Sequence, residues 1–400
     1  MVKENRLVNI LIVICVLFAS VVSLTDELNS IALYAAIPSA FLLSLINGRK
    51  LIINNYFKVY IYLCLWLLFT TLFALNTDAA FREMRQVLGA FLLSYIVSVG
   101  ATNDKIKPWM YVAFISLYFS AIYYASTHIL FVGWDIGGHE RVNDDVLNAN
   151  KLAYYTFYAT IATYFLADFF TKNRLLNKTL RLLFLAMIPL SFWIALITAS
   201  RQVLIIQVPT IVMLGYLRYL KNAKIGSSVI SIIVVIGVIA VAASRVTSIY
   251  NDSYLAQRNE LSLEEDARPR LMANAIQVGF EHPIFGVGPG NFPLVSKDGR
   301  FSHCTYTELF ANAGFVGFLL YVILVIKLFY INYKRFRVSK DNAYLIYMTF
   351  AIIFIVYNFV YVFYKDIWLT AFFFLVASDS DTFFKKHKYS IANGNSRKKN

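Results

Sequence analysis

The chain has 400 residues, of which 59% are hydrophobic and only 15% charged, with a mean hydropathy of +0.60 and a formal net charge of +14. A water-soluble domain of this length cannot bury that much apolar side chain, so the composition excludes one and requires lipid as solvent. Such a charge would suit a nucleic-acid binder, but its placement along the chain decides against that reading.

Apolar runs predict an all-α polytopic membrane protein of about twelve spans, near 7–24, 31–46, 59–75, 86–101, 109–131, 151–169, 182–199, 203–219, 228–243, 312–330, 342–363 and 366–378. The run behind "MVKENR" is long and lacks a small-x-small cleavage site, so it is expected to be an uncleaved first helix rather than a signal peptide. With the amino terminus placed in the cytoplasm, the loops on that side hold 25 of the 37 Lys and Arg. Six of the other 12 lie in one long segment, 244–311, which would be translocated whatever its charge. The basic surplus thus reads as membrane orientation with both termini cytoplasmic, and no nucleic-acid partner is implied. Cys15 and Cys64 fall inside spans and Cys304 stands alone in a loop, so no disulfide framework is available.

In chain order, the first sizeable outer loop is 132–150, carrying "GGHERVNDDVLNAN". Arg201 follows in "ITASRQVLI", between two spans with almost no loop, which holds its guanidinium at the outer interface. The plain reading is a snorkelling residue at a helical hairpin. The functional reading is a fixed cation facing an anionic substrate.

The segment 244–311 is the only long polar stretch between spans, and loops of that length usually carry function. Within "EEDARPRLMANAIQVGFEHP", Leu271, Met272, Ala275, Ile276 and Gly279 recur at three- and four-residue spacing, and Pro283 ends the pattern. This predicts a short amphipathic helix on the membrane surface. Its first turn would hold Arg268 and Arg270, where backbone N–H groups and the helix dipole already favour an anion. A guanidinium there adds a bidentate donor for phosphate oxygens. The plain alternative is a solvated pair beside Glu264, Glu265 and Asp266. "PIFGVGPGNF" follows and reads as a series of tight turns, because no helix start follows the glycines as a phosphate cradle would need. Ser302 is the expected N-cap of the next span, which would put His303 at the mouth of that helix, facing water. A lone loop histidine is usually an ordinary surface residue, but a side chain with pKa near 6.5 suits proton abstraction at neutral pH.

No metal site is expected, since Asp144–Asp145 and Glu264–Asp266 are contiguous clusters without ligand spacing. Ionisable residues are also expected to be almost absent from the central portions of the spans, which disfavours a proton-coupled carrier.

Three stretches taken together resemble the O-antigen ligase and polymerase superfamily, whose members are membrane glycosyltransferases. "ASRQVLI" is similar to the family's Ser-Arg element between two spans. "ARPRLMANAIQVGFEHPIFGVGPGNF" is similar to its Arg, amphipathic helix, Pro and Gly-x-Gly pattern. "SHCTYTELFANAGFVGF" is similar to its His-Asn-x-Tyr motif and the glycines of the following helix. Arg268 and Gly279 are separated by ten residues, as are His303 and Gly314, and both spacings fit the family. "RVNDDVLNANKLAYY" looks like the family's Asn-rich approach to a span. The sequence departs from the pattern at Cys304, where Asn is common, and at Met272, where Trp is common.

The resemblance implies a GT-C-like architecture with its active site on the periplasmic side of a bacterial inner membrane. It implies that Arg201 and Arg268 grip a polyprenyl-diphosphate-linked oligosaccharide with help from Arg270, and that His303 takes the proton of the acceptor hydroxyl. It further implies that Arg141, Asn148, Asn150, Tyr306 and Glu308 contact the glycan and acceptor, that no metal or other cofactor takes part, and that transfer inverts the anomeric centre. The expected activity is polysaccharide polymerisation onto the next lipid-linked repeat unit. The alternatives are ligation of the finished chain to lipid A-core, or flipping of lipid-linked sugars by a carrier. A chain-length regulator is a further partner of the polymerase reading.

Overall fold

The computed structural model describes residues 5–23, 29–47, 54–124, 149–170, 173–198, 200–217 and 267–397, and every regular element among them is helical. The elements are α1 (Arg6–Val22), α2 (Asn29–Ile46), α3 (Asn55–Phe73), α4 (Thr77–Ala101), α5 (Lys107–Tyr124), α6 (Ala149–Phe169) and α7 (Arg174–Ile197). They continue with α8 (Arg201–Gly215), α9 (Ala267–Glu281), α10 (Phe292–Val295), α11 (Thr305–Ser339), α12 (Ala343–Tyr357) and α13 (Ile367–Arg397). Among the described residues six helices are long and apolar enough to cross a membrane: α2, α3, α4, most of α7, α11 and the first 20 residues of α13. Helices α1 and α12 are apolar but shorter. The expected spans at 109–131, 151–169 and 203–219 fall on α5, α6 and α8, which are not among these six, and 125–131, 218–219, the span at 228–243 and 244–266 lie outside the described residues.

The chain divides into two compact units. The first comprises residues 1–19, 30–113 and 267–400, and the second 20–29 and 114–266. In the second, α6 is buried on every side from Leu152 to Ala167, as suits a helix that is apolar all round. Its threonine hydroxyls are satisfied locally, since Thr156 and Thr160 donate to carbonyls four residues back and Thr163 to one three back. It packs on α7 through Ala159 against Met187 and Tyr164 edge-on to Phe184, and Asn177 closes the hairpin by donating to the carbonyl of Ala167 at 2.5 Å.

In the first unit, α4 lies against α13, and small residues set the approach. A Cβ on Gly89 would fall 2.8 Å from Leu33 and 2.9 Å from Ile367. Phe57 and Tyr60 of α3 fill the space between Tyr95 of α4 and Phe374 of α13. Helices α3 and α12 flank α11, and α9 packs across its start.

Two expectations are corrected here. The span expected at 86–101 is the second half of a helix that begins at Thr77, and the one expected at 366–378 continues as α13 to Arg397. Beyond the expected spans the helices also carry partly buried ionisable pairs. Lys107 Nζ lies 2.6 Å from Asp379, which also accepts from the Tyr111 hydroxyl at 2.7 Å. Arg335 pairs with Asp381. Each pair has a further hydrogen bond, from Tyr111 to Asp379 and from Arg335 to Ser380, which helps offset the cost of drawing charge out of water. From Glu83 to Ala101 α4 rises about 27 Å, close to the thickness of a bilayer's hydrocarbon layer, so the first unit has two polar ends separated by an apolar middle. The sequence-predicted residues of this unit all belong to the end that bears Glu83.

Candidate active site

The site end of the first unit is organised by a break in α11. Gly314 has φ 67° and ψ −169°, a region only glycine occupies readily, and a Cβ there would stand 2.1 Å from the carbonyl oxygen of Ile284. At this kink the Phe315 N–H turns away from the helix and donates to the carbonyl of Pro283 at 2.8 Å. The freed carbonyls of Ala311 and Asn312 accept instead from Val287 and Gly288 N–H, each at 2.9 Å. This strap is the reason for the glycine run. A Cβ on Gly286 would strike the Asn312 backbone at 2.3 Å, and one on Gly288 would meet Ala74 at 2.4 Å.

The expected turns are therefore present, although the short helix α10 does follow the glycines. Asn291 and Asn312 knit the strap to the bundle. Asn291 accepts from the Asn76 N–H at 2.7 Å and donates back to the Asn76 carbonyl, while Asn312 Oδ1 accepts from the Phe292 N–H at 2.8 Å.

Helix α9 runs from Ala267 to Glu281, as its periodicity and Pro283 predicted. Its buried stripe is Leu271, Ala275 and Val278, and Gly279 lies under the Phe310 ring, where a Cβ would approach to 2.3 Å. Arg268 and Arg270 occupy its first turn. The acidic residues just before Arg270 in sequence lie outside the described residues. The Arg270 guanidinium holds the Asp298 carboxylate through Nε at 3.1 Å and Nη2 at 3.0 Å. That pair ties the turn carrying both arginines to the segment five residues ahead of His303.

His303 sits in a left-handed backbone conformation, φ 58°, with its side chain partly buried. The residues around it are pinned from several directions. The Ser302 N–H donates to Glu308 Oε2 at 2.7 Å, and the Ser302 hydroxyl bridges across to the Cys304 carbonyl at 2.9 Å. The Thr305 N–H donates to the Asn358 carbonyl, and its hydroxyl both donates to the Tyr361 carbonyl and accepts from the Phe363 N–H. A bend fixed on both sides can hold a conformation that costs energy at the residue between. The expected N-cap is corrected by one element of this arrangement. Ser302 spends its hydroxyl inside the bend, and Cys304, extended and without a side-chain cap bond, is the N-cap of α11.

Glu308 and Tyr306 follow on the first turns of α11. Glu308 is fully buried and holds the Ser302 N–H, with Asn312 Nδ2 3.4 Å from its other oxygen. The Tyr306 hydroxyl donates to the Ile355 carbonyl at 3.0 Å, and its ring packs on Phe359.

Sequence reasoning missed the group beneath this bend. Lys365 Nζ lies 2.6 Å from Glu83 Oε2 and 3.8 Å from the centroid of the Phe301 ring. Tyr364 donates its hydroxyl to the other oxygen of Glu83. Burial pushes that hydroxyl well above the ordinary phenol range, and the carboxylates of Glu83 and Glu308 push the same way, so it remains a donor. Next in sequence, Asp366 caps α13 by accepting from the Leu369 N–H at 3.1 Å. The available signal was a Lys-Asp pair at the start of one expected span and a glutamate three residues before another.

Arg201 is the first residue of α8 in the second unit. The chain reverses there within three residues of the end of α7, where the Ser200 N–H donates to the Ala195 carbonyl at 2.9 Å. Asn150 lies in the first turn of α6, and Arg141 and Asn148 fall outside the described residues. Among the described residues no three or more His, Cys, Asp or Glu side chains gather into a group that could hold a metal ion.

Residues 185–322, about a third of the chain, match the family model described as O-antigen ligase. No curated protein matches the chain.

Proposed function

From membership of the O-antigen ligase/polymerase superfamily, which the match over residues 185–322 supports, we infer that this multi-pass membrane protein is a glycosyltransferase. It takes a polyprenyl-diphosphate-linked glycan and transfers it to an acceptor sugar hydroxyl at the periplasmic face of the bacterial inner membrane. The reading is that of a polymerase whose acceptor is the next lipid-linked repeat unit.

In this reading His303 accepts the proton of the acceptor hydroxyl as that oxygen bonds to the anomeric carbon. The bond from the anomeric carbon to the diphosphate oxygen breaks, its electron pair leaves with the diphosphate, and in-line attack inverts the centre. Arg201 and Arg268 stabilise the departing charge, with Arg270 assisting, so that no metal is required. Arg141, Asn148, Asn150, Tyr306 and Glu308 shape the glycan and acceptor sites. Tyr306 and Glu308 contribute through the bend they support, since both side chains are bonded within the protein.

The observation that carries the reading is the Arg270 to Asp298 clamp within the matched region. It fastens an arginine-bearing helix start to the segment leading into a strained, firmly held histidine. That the matched family is one of O-antigen ligases favours a second reading, ligation of the finished glycan to lipid A-core.

Reconstitution of the purified chain in vesicles tests these readings. With lipid-linked repeat units alone, longer lipid-linked chains are expected. Product formed only after lipid A-core is added would establish the ligase instead. Movement of lipid-linked sugar across the vesicle without any transfer would make the protein a carrier and overturn both.

A further inference from the structure

At the end of the first unit away from the candidate active site, a groove of about 380 Å³ opens between the start of α1 and the start of α5. Its rim carries two cations far apart in sequence, Arg6 in the first turn of α1 and Lys105 in the turn just before α5, and below them the wall is apolar, with Ile10, Val13 and Ile14 along one face of α1. Trp109 closes the α5 side and is 48% exposed, and Ile10 and Ile14 are 47% and 54% exposed, so the groove is open laterally. The wall is rigid at the top, because Asn47 donates to Asn9 at 2.7 Å and accepts from the Asn5 N–H at 3.2 Å.

The acidic residues of this end already have cations. Asp104 is bonded by Lys386 at 2.5 Å and Asp379 by Lys107 at 2.6 Å. Arg6 and Lys105 form no ion pair among the described residues, so the groove is a cationic mouth above an apolar channel. From Arg6 to Ile14 the channel runs about 12 Å, which is the depth from a phosphate to the upper acyl carbons of a lipid.

We propose that this groove holds one anionic phospholipid of the surrounding bilayer, with its phosphate between Arg6 and Lys105 and an acyl chain along Ile10, Val13 and Ile14. A guanidinium and an ammonium suit a phosphate diester, and a half-exposed indole suits the depth of the glycerol backbone. A zwitterionic lipid offers the same chains without net charge, so the two cations select for the anionic one. The site lies in the leaflet opposite the candidate active site and is independent of the glycosyltransferase reading.

Native mass spectrometry of the full-length protein in detergent, with phosphatidylglycerol or phosphatidylcholine added, tests this. The wild-type protein is expected to retain one phosphatidylglycerol in preference to phosphatidylcholine. In the double variant Arg6→Gln/Lys105→Gln that retention should weaken roughly tenfold or more. Lys385→Gln removes an exposed cation at the same end but outside the groove, and it should leave retention unchanged. Equal retention by the wild type and the double variant would overturn the site. So would an equal loss in Lys385→Gln, which would mark the binding as general attraction to a basic surface. Melting of all variants without added lipid should be the same, because neither groove cation has an ion-pair partner to lose among the described residues. If the double variant melts lower, Lys105→Gln alone repeats the measurement, and retention equal to that of the wild type would again overturn the site.

Discussion

Lys365 and Glu83 are 282 positions apart in sequence and form an ion pair of 2.6 Å at the junction of α4 with the start of α13. Their side chains are 12% and 4% exposed, so neither charge is well hydrated without the other. Removing one partner of such a pair costs about 3–5 kcal/mol, whereas replacing both with apolar residues costs much less. Lys365→Met is therefore expected to destabilise the protein by about 3 kcal/mol, and Lys365→Met/Glu83→Leu to recover a large part of that loss. Thermal unfolding in detergent, read as a double-mutant cycle, checks it. Additive losses would show that the two groups are not coupled.

His303 holds a positive φ that glycine adopts at no steric cost. His303→Gly should keep or slightly raise the melting temperature while transfer falls by about 10² to 10⁴, the usual contribution of a general base. The vesicle assay and a melt of the same preparation measure the two together. Transfer surviving in a stable His303→Gly variant would remove this residue from the chemistry.

Gly314 and Gly299 both have positive φ, but only the first is crowded. Gly314→Ala sets a methyl 2.1 Å from the Ile284 oxygen and should cost about 3 kcal/mol or more, seen as loss of folded protein during purification. Gly299→Ala meets nothing within 4 Å and should cost only the intrinsic strain, about 1–2 kcal/mol. Similar melting of the two variants would contradict the strap as the source of the difference.

Arg270 and Asp298 form an exposed pair, with side chains 63% and 27% accessible. Pairs of this kind contribute about 1 kcal/mol or less, so Asp298→Asn should barely shift the melting temperature. In the proposed roles Arg268 grips the diphosphate and Arg270, which holds Asp298, only assists, so Arg270→Ala should reduce transfer less than Arg268→Ala does. Kinetics of the two alanine variants decide it, and the reverse order would move the principal diphosphate contact to Arg270.

The parts of this arrangement that sequence made legible are the local ones. Pro269, the spacing of Leu271, Ala275 and Gly279, and Pro283 define α9 because periodicity and proline act over a few residues, although Ile276 of the same pattern is exposed and Val278 takes the buried place. The glycines of 286–290 announce turns for the same reason. The start of α4 was hidden because Arg82, Glu83 and Arg85 depress the hydropathy of a helix whose inner end is nonetheless buried. The charge that makes Glu83 tolerable comes from the far end of the chain. The Arg270 to Asp298 clamp was hidden by nearer carboxylates at 264–266. Ser302 looked like an N-cap because side-chain type is visible in sequence, whereas which neighbour claims its hydroxyl is decided by the bend.

The interruption at Gly314 divides the labour within one continuous cylinder. The nine residues from Thr305 to Ala313 are fastened sideways, to the strap and to the Asn358–Phe363 corner, so their position does not depend on an unbroken rod below them. The lower stretch, from Phe315 onward, answers chiefly to greasiness and fit against α3 and α12. Substitutions accumulating there can retune how the protein sits among lipids while the histidine bend stays where it is. The shaft's exposed apolar positions can thus vary while its own polar anchors, Tyr321 on Asn358 and Arg335 on Asp381, and the head are kept.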